Sequence, residues 1–150
     1  MKDFVTYEQA VKLKDLGFNW HNQYSQMYYA TQNYCEGNNQ VSFDTICPGN
    51  LISSPRMKED EDYGWIEDED YCVLAPTLAE AQRWLREVKE IDVIAIPTFG
   101  EYGKKKYRWQ IIIYKEDFGN EDESTTIYTY EEALSIGINE ALKIIENHEL

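Results

Sequence analysis

The sequence has few of the residues from which common catalytic and metal sites are built. It contains two histidines, His21 and His148, and three cysteines, Cys35, Cys47 and Cys72, without a Cys-x-x-Cys pair. An odd number of dispersed cysteines argues against a disulfide framework and against a zinc knuckle, so the thiols are expected to be reduced. His148 lies near the last residue, which leaves His21 as the one candidate for general acid–base catalysis.

Sequence motifs of the common enzyme classes are absent as well. The sequence has no Gly-x-Ser-x-Gly elbow, His-Glu-x-x-His helix, glycine-rich phosphate loop or dinucleotide fingerprint. We therefore predict a protein without catalytic residues, cofactor or metal. A hydrolase that uses carboxylates and His21, with or without a metal ion, stays open as an alternative.

Positive charge is scarce too. Lys and Arg total 14 against 28 Asp and Glu, which gives a formal net charge of -14. This charge repels phosphate backbones and argues against direct binding to duplex nucleic acid, whereas it keeps a protein dissolved and steers it towards a basic partner. No apolar run approaches the roughly 18 residues of a membrane span, and the first residues have no signal-peptide pattern. We expect a protein that stays in the cytoplasm.

Three helices are predicted from the same start signal, a Thr whose hydroxyl caps the first turn and a Glu or Gln three residues later. The pairs are Thr6 with Gln9, Thr77 with Glu80, and Thr129 with Glu132. The first helix should end at Gly17. The second should bury one apolar stripe with Trp84 beside it, made of Leu78, Ala81, Leu85 and Val88. In the third, Gly137 indicates either a close contact with a strand or a tolerated weakness.

Strands fill the intervals between the helices. Residues 107–114 alternate between the two faces of a sheet, residues 93–99 are their predicted antiparallel partner, and residues 125–128 are a third strand. Less regular strands are predicted in the N-terminal half, at 24–30, 41–46 and 71–74. The expected fold is α+β, one domain over residues 1–150 in which a C-terminal three-stranded meander and the N-terminal strands form antiparallel sheet packed with three helices.

Two acidic segments, 58–70 and 115–124, are predicted to be exposed loops. The first has the charge density of a calcium loop, but Tyr63 occupies the fifth position and Asp70 the twelfth, so no metal is predicted there. Tyr63 and Trp65 are aromatic residues in a segment that otherwise favours water. Either Trp65 and Ile66 anchor the loop on the core, or the aromatic residues contact a partner protein or ligand.

The one basic cluster lies at a predicted hairpin tip beside aromatic residues. It consists of Lys104, Lys105, Lys106 and Arg108, and the flanking aromatic residues are Tyr102, Tyr107 and Trp109. Cations beside rings are able to hold an anionic ligand with a stackable base, such as a nucleotide, although lysines at such a turn also protect a sheet edge. Tyr28, with neighbouring tyrosines, either lines a pocket or covers a small core.

Several short motifs are distinctive. They are Thr-Tyr-Glu-Gln-Ala-x-x-Leu-Lys-x-Leu-Gly-Phe at 6–18, Ala-Pro-Thr-Leu at 75–78, Trp-Leu-Arg-Glu at 84–87, Tyr-Glu-Glu-Ala at 130–133 and Gly-Ile-x-Glu-Ala-Leu-Lys at 137–143. With these motifs the sequence resembles a set of small uncharacterised proteins encoded by phages and prophages of gut bacteria. The resemblance is weakest over residues 31–70. Its motifs are helix caps and core positions, so they carry over no catalytic residue.

The resemblance implies a protein that acts in the cytoplasm of a bacterial host by binding, either blocking a host protein or sequestering a nucleotide signal used in host defence. Our first hypothesis is a non-enzymatic accessory protein that binds a host protein through its acidic and aromatic surface. The alternatives are a nucleotide-sequestering protein, the carboxylate-dependent hydrolase and a minor virion component. Homo-oligomerisation stays open.

Overall fold

The computed structural model describes residues 3–20, 27–33, 49–53, 55–98, 106–116, 118–121 and 128–148. Contacts divide the chain into two compact units, which we call the N-terminal unit, Thr6–Pro76, and the C-terminal unit, Met1–Val5 with Thr77–Leu150. One domain over residues 1–150 stays a prediction.

The described residues form three α-helices and three antiparallel sheets, so the predicted α+β class is confirmed. The elements of the N-terminal unit are α1 (Tyr7–Asp15), β1 (Tyr28–Ala30), β2 (Leu51–Ile52), β3 (Met57–Asp60), β4 (Gly64–Glu67) and β5 (Cys72–Leu74). Those of the C-terminal unit are α2 (Leu78–Val88), β6 (Ile91–Thr98), β7 (Lys106–Ile113), a 3-10 turn (Tyr114–Glu116), β8 (Phe118–Glu121) and α3 (Tyr130–His148).

All three predicted capping boxes are confirmed. In each, the Thr hydroxyl accepts a hydrogen bond of 3.2 Å from the backbone N–H three residues later, and the Gln or Glu there accepts one of 2.8–2.9 Å from the Thr backbone N–H. Helix α1 also ends as predicted. The Gly17 N–H donates to the Lys14 carbonyl at 2.9 Å and the Phe18 N–H to the Leu13 carbonyl at 2.8 Å, which returns the chain to the buried side of the helix.

The C-terminal sheet has the order β6-β7-β8. Its inner face carries buried cross-strand pairs such as Ile91 with Ile113 and Val93 with Ile111. Helix α3 packs against β6 and β7, and α2 packs against β6 and α3. In α2 Trp84 is buried while Val88 is 50% exposed, so the prediction that Val88 belongs to the buried stripe is wrong.

The third strand of this sheet differs from the prediction. Strand β8 covers residues 118–121, inside the segment 115–124 that was predicted to be a loop. Gly119 and Asn120 have low intrinsic strand propensity, but pairing with β7 through the short connection after Ile113 outweighs it. Of the predicted strand 125–128, Tyr128 forms an isolated bridge with Tyr107, and residues 125–127 lie outside the described part.

The outer edge of β6 is protected against the addition of another strand. The Gln82 side-chain amide donates a hydrogen bond of 2.7 Å to the Val93 carbonyl, and Pro97 has no backbone N–H to offer. A partner is therefore not expected to bind by extending the sheet here.

In the N-terminal unit the sheet order is β2-β1-β5, with all three residues of β1 buried. Strands β3 and β4 pair only with each other among the described residues. The predicted strands 24–30 and 71–74 are confirmed over Tyr28–Ala30 and Cys72–Leu74, and the predicted strand 41–46 lies outside the described residues. No described helix combines the length and the hydropathy needed to cross a membrane.

Candidate functional site

The acidic segment predicted to be a loop at 58–70 is an ordered β-hairpin over most of its length. Asp60 pairs with Gly64 and Glu59 with Trp65. The Asp60 Oδ1 accepts hydrogen bonds from the backbone N–H groups of Asp62 at 2.9 Å and Tyr63 at 3.1 Å, and Gly64 follows at a φ of 76°. A three-residue loop closed by a residue in the left-handed region is a common hairpin connection. The loop prediction is wrong here because the Asp60 carboxylate does more than add charge: it stabilises a tight turn by accepting backbone hydrogen bonds.

Several contacts hold the hairpin in place within the N-terminal unit. A two-stranded hairpin is marginally stable alone. At its base, the Asp68 N–H donates to the Arg56 carbonyl at 2.7 Å, and the Arg56 guanidinium lies 3.9 Å from the centroid of the Tyr71 ring. The Tyr28 hydroxyl donates to Glu67 Oε1 at 2.9 Å, which connects the end of β4 to the central strand β1. The hairpin is therefore held in place by contacts with the rest of the N-terminal unit.

The hairpin exposes large apolar side chains. Tyr63 is 82% exposed, Trp65 70% and Met57 41%. Met57 and Trp65 lie on one face of the ribbon, because they are diagonal neighbours in the register that pairs Met57 with Glu67 and Glu59 with Trp65. Of the two alternatives for Trp65, this exposure does not support an anchor on the core and favours contact with a partner.

Negative charge surrounds these side chains. Residues 57–70 contain eight Asp and Glu against one Lys, Lys58. Side chains in so acidic a segment create a field that attracts cations and basic surfaces. We call the hairpin 57–67, with Tyr63 and Trp65 exposed among these acids, the acidic hairpin.

A pocket of about 180 Å³ lies beside the acidic hairpin, also within the N-terminal unit. Its wall is formed by α1 and the turn after it, by β1 and β5, and by the end of β4 and the residues that follow. Apolar side chains make up much of the wall: Ala10, Phe18, Ile66, Val73 and Leu74. Lys14, Tyr28, Glu67, Glu69 and Cys72 are the other lining residues that carry ionisable groups.

Two polar groups of the pocket, the Tyr28 hydroxyl and the Cys72 thiol, are held in their protonated forms. Burial, together with the hydrogen bond to Glu67, raises the pKa of the Tyr28 hydroxyl well above its usual value, so it stays a donor. Burial raises the pKa of the Cys72 thiol from 9.0 to about 11, and its Sγ lies 3.4 Å from the Asp68 carbonyl as a donor. A protonated thiol is a poor nucleophile and metal ligand, so the pocket lacks an activated cysteine at neutral pH.

The Cys72 thiol is expected to resist alkylation in the folded protein. Because its pKa rises from 9.0 to about 11, the thiolate fraction at pH 8 falls about 100-fold. Because the thiol pKa is higher in the folded than in the unfolded protein, burial of the protonated thiol contributes to the free energy of unfolding. This contribution is complete below pH 9 and is lost as the pH rises towards 11. Peptide mass spectrometry after iodoacetamide treatment should show Cys72 labelled slowly at pH 8 and rapidly in denaturant. Equally fast labelling in both states would contradict the buried, protonated thiol.

The predicted basic cluster is described only in part. Three residues of the cluster and its flanks lie outside the described part of the structure: Tyr102, Lys104 and Lys105. Lys106 is half-buried and Arg108 exposed. Trp109 is 8% exposed and lies against Gly137 of α3, so its ring belongs to the core and not to a ligand-stacking surface. His21 also lies outside the described residues, and His148 is exposed at the end of α3.

Within the described ranges, no group of three or more His, Cys, Asp or Glu side chains is arranged to hold a metal ion. The sequence did not single out the pocket residues Lys14, Glu67 and Cys72. Only Tyr28 was a candidate, from the local richness in tyrosine. Lys14 and Cys72 become neighbours through the packing of α1 on β5, and Glu67 joins them from the end of β4; the sequence carries no local signal for either arrangement.

Comparison with known proteins assigns no family. No family model matches the sequence, and no curated protein or solved structure is significantly similar to it. The function therefore has to be inferred from the geometry of the acidic hairpin and of the pocket beside it.

Proposed function

We propose that the protein is a non-enzymatic binding protein that engages a basic partner protein through the acidic hairpin, with Trp65 as the central contact. One observation carries this proposal: a tryptophan that is 70% exposed on an ordered, supported hairpin. In the phage or prophage setting that the sequence resemblance implies, the partner is a host protein.

The geometry of the hairpin suits recognition. Tryptophan and tyrosine are enriched among residues that dominate interface energies, because they bury a large area and lose little side-chain entropy. Tyr63 and Trp65 are presented by a turn that Asp60 and Gly64 fix, so little ordering is needed on binding. Both aromatic residues are thus available and preorganised.

The surrounding charge selects the class of partner. With eight acidic residues against one lysine in residues 57–70, a basic surface approaches favourably and an acidic one is repelled. An Arg or Lys of the partner that stacks on the Trp65 indole would meet Glu59 on the opposite strand as its counter-ion. The same charge predicts that binding weakens as salt rises.

Affinity capture with matched variants tests this function. The wild-type protein immobilised in a lysate of the bacterial host should retain a basic protein, and the dissociation constant is then measured with that purified protein. We expect Trp65→Ala to weaken binding by about 30-fold, the loss of one interface hot spot. Tyr63→Ala should have a smaller effect in the same direction.

Tyr114→Ala is the matched control, because Tyr114 is an aromatic residue that is 65% exposed in the C-terminal unit. It should leave the affinity unchanged. The proposal is wrong if Trp65→Ala binds the captured protein as tightly as the wild type does, or if no basic protein is retained at low salt.

A further inference from the structure

We propose that the pocket beside the acidic hairpin is a binding site for an organic ammonium ion, a positively charged amine on a compact apolar body. This site is separate from the contact surface of Trp65 and goes beyond the proposed function. Trp65 does not line the pocket, whereas its neighbours Ile66 and Glu67 do.

The size and the wall of the pocket define the body of the ligand. A volume of about 180 Å³ is similar to the roughly 150 Å³ of an engineered apolar cavity that admits a benzene ring. Phe18, Ile66 and Val73 supply apolar surface from three different parts of the unit, and the Cys72 thiol adds a neutral, weakly polar group. A single ring or a short alkyl chain fits such a space.

The ionisable lining residues define the charge of the ligand. Glu67 and Glu69 are two carboxylates against the single ammonium of Lys14, so these three groups sum to one negative charge. Lys14 Nζ lies 3.8 Å from Glu69 Oε2, and the Lys14 side chain is 39% and the Glu69 side chain 72% exposed. The whole chain, at -14, adds to the preference for a cation over an anion.

The position of the cation follows from Tyr28 and Glu67. Because the Tyr28 hydroxyl donates to Glu67 Oε1 at 2.9 Å, the carboxylate has a fixed orientation at the pocket wall. The phenolic oxygen keeps lone pairs that accept a hydrogen bond from an ammonium group, and the carboxylate accepts another. An amine placed here would leave its apolar body against Phe18 and Val73.

Binding of small probes to the full-length protein tests this site. Phenethylamine is the cationic probe, phenethyl alcohol the neutral isostere and 3-phenylpropionate the anion, each titrated by calorimetry or followed by chemical-shift changes. We expect the amine to bind at least about tenfold more tightly than the alcohol, since a charge-assisted hydrogen bond replaces a neutral one. The anion should bind most weakly.

Two conservative variants locate the site. Glu67→Gln should lower the affinity for phenethylamine about tenfold, because it removes the charge and keeps the shape. Glu61→Gln removes the same charge from the hairpin turn, outside the pocket, and should change the affinity little. Tyr28→Phe should weaken amine binding as well, through the loss of one acceptor and of the orientation of Glu67. Thermal melting of each variant checks that it is folded.

The amine is either a lysine side chain of a protein or a free small molecule, and a competition experiment distinguishes these two sources. If Nα-acetyl-lysine amide, whose side-chain ammonium group is free, competes with phenethylamine, the pocket accepts lysine side chains of a protein. If it does not compete, the ligand is a free small amine.

Trp65→Ala should retain phenethylamine binding, so this site and the proposed protein contact fail independently. Equal affinity for the amine, the alcohol and the anion would overturn the proposal, as would the absence of binding at millimolar amine or unchanged binding in Glu67→Gln.

Discussion

Replacing Trp84 by alanine is expected to lower the free energy of unfolding of the C-terminal unit by about 3–5 kcal/mol. The indole is 2% exposed, in the middle of α2, and its ring is shielded further by Lys89, whose Nζ lies 5.5 Å from the ring centroid. Removing it deletes a large buried side chain, and the surrounding structure fills the resulting cavity only in part. Since domains have a total stability of about 5–15 kcal/mol, the variant should be close to unfolding. Urea denaturation followed by circular dichroism measures the loss.

Trp65→Ala is the matched control, because it makes the same chemical change at a side chain that is 70% exposed. We expect its free energy of unfolding to stay within about 0.5 kcal/mol of the wild-type value. Trp84→Phe, which keeps most of the apolar volume, should lose less than Trp84→Ala. If Trp84→Ala and Trp65→Ala had equal effects on stability, the assignment of one indole to the core and the other to a contact surface would be wrong.

The parts of the fold that were predictable are those fixed by interactions within a few residues. Each capping box depends on two side chains three positions apart, and the end of α1 depends on Gly17 and Phe18 directly after it. Strand β7 was predictable as well, since alternation along the strand is a local pattern that one buried face imposes on Trp109 and Ile111.

The acidic hairpin and β8 were missed because most of their residues have low strand propensity. In the sequence, Asp60 is one more solvated charge among many, although it accepts two backbone hydrogen bonds that close the turn. In β8 the pairing partner is the strongly apolar strand β7, so tertiary context decides the outcome. Where acids are this frequent, composition indicates exposure but does not distinguish an exposed strand from a loop.

The candidate site was predictable only in its exposed part. Tyr63 and Trp65 stand out in the sequence because aromatic side chains in an acidic segment need an explanation. The pocket was not predictable, since Lys14, Tyr28 and Glu67 come from three segments far apart in the chain. Their proximity depends on the arrangement of α1, β1 and β4, and no local pattern in this half of the chain indicates the order in which its strands pair.

Gly137 gives the second large effect, and its direction is the opposite of what helix propensity alone predicts. Alanine in place of glycine inside a helix normally stabilises it by about 1 kcal/mol. At position 137 of α3, however, a Cβ atom would lie 2.7 Å from Val93 Cγ1 and 3.0 Å from Trp109 Cβ. The first distance is shorter than carbon atoms tolerate and the second is at the tight limit of real contacts, and Trp109 Cβ moves only with its backbone. Overpacking of this kind costs about 1–3 kcal/mol, so we expect Gly137→Ala to be destabilising.

A double-mutant cycle separates the two contributions at this position. Val93→Ala removes the Cγ1 atom that the new methyl group would meet, so the two substitutions together should cost less than the sum of their separate losses, by about 0.5–3 kcal/mol. Denaturant unfolding of the four proteins supplies the numbers. Gly137→Ala more stable than the wild type would mean that α3 shifts away from the sheet at little cost. If the losses in the free energy of unfolding were additive, the strain would arise at Trp109 alone, because the cycle removes only the Val93 contact. Either result would contradict the prediction that is made here from the close approach of α3 to β6 and β7.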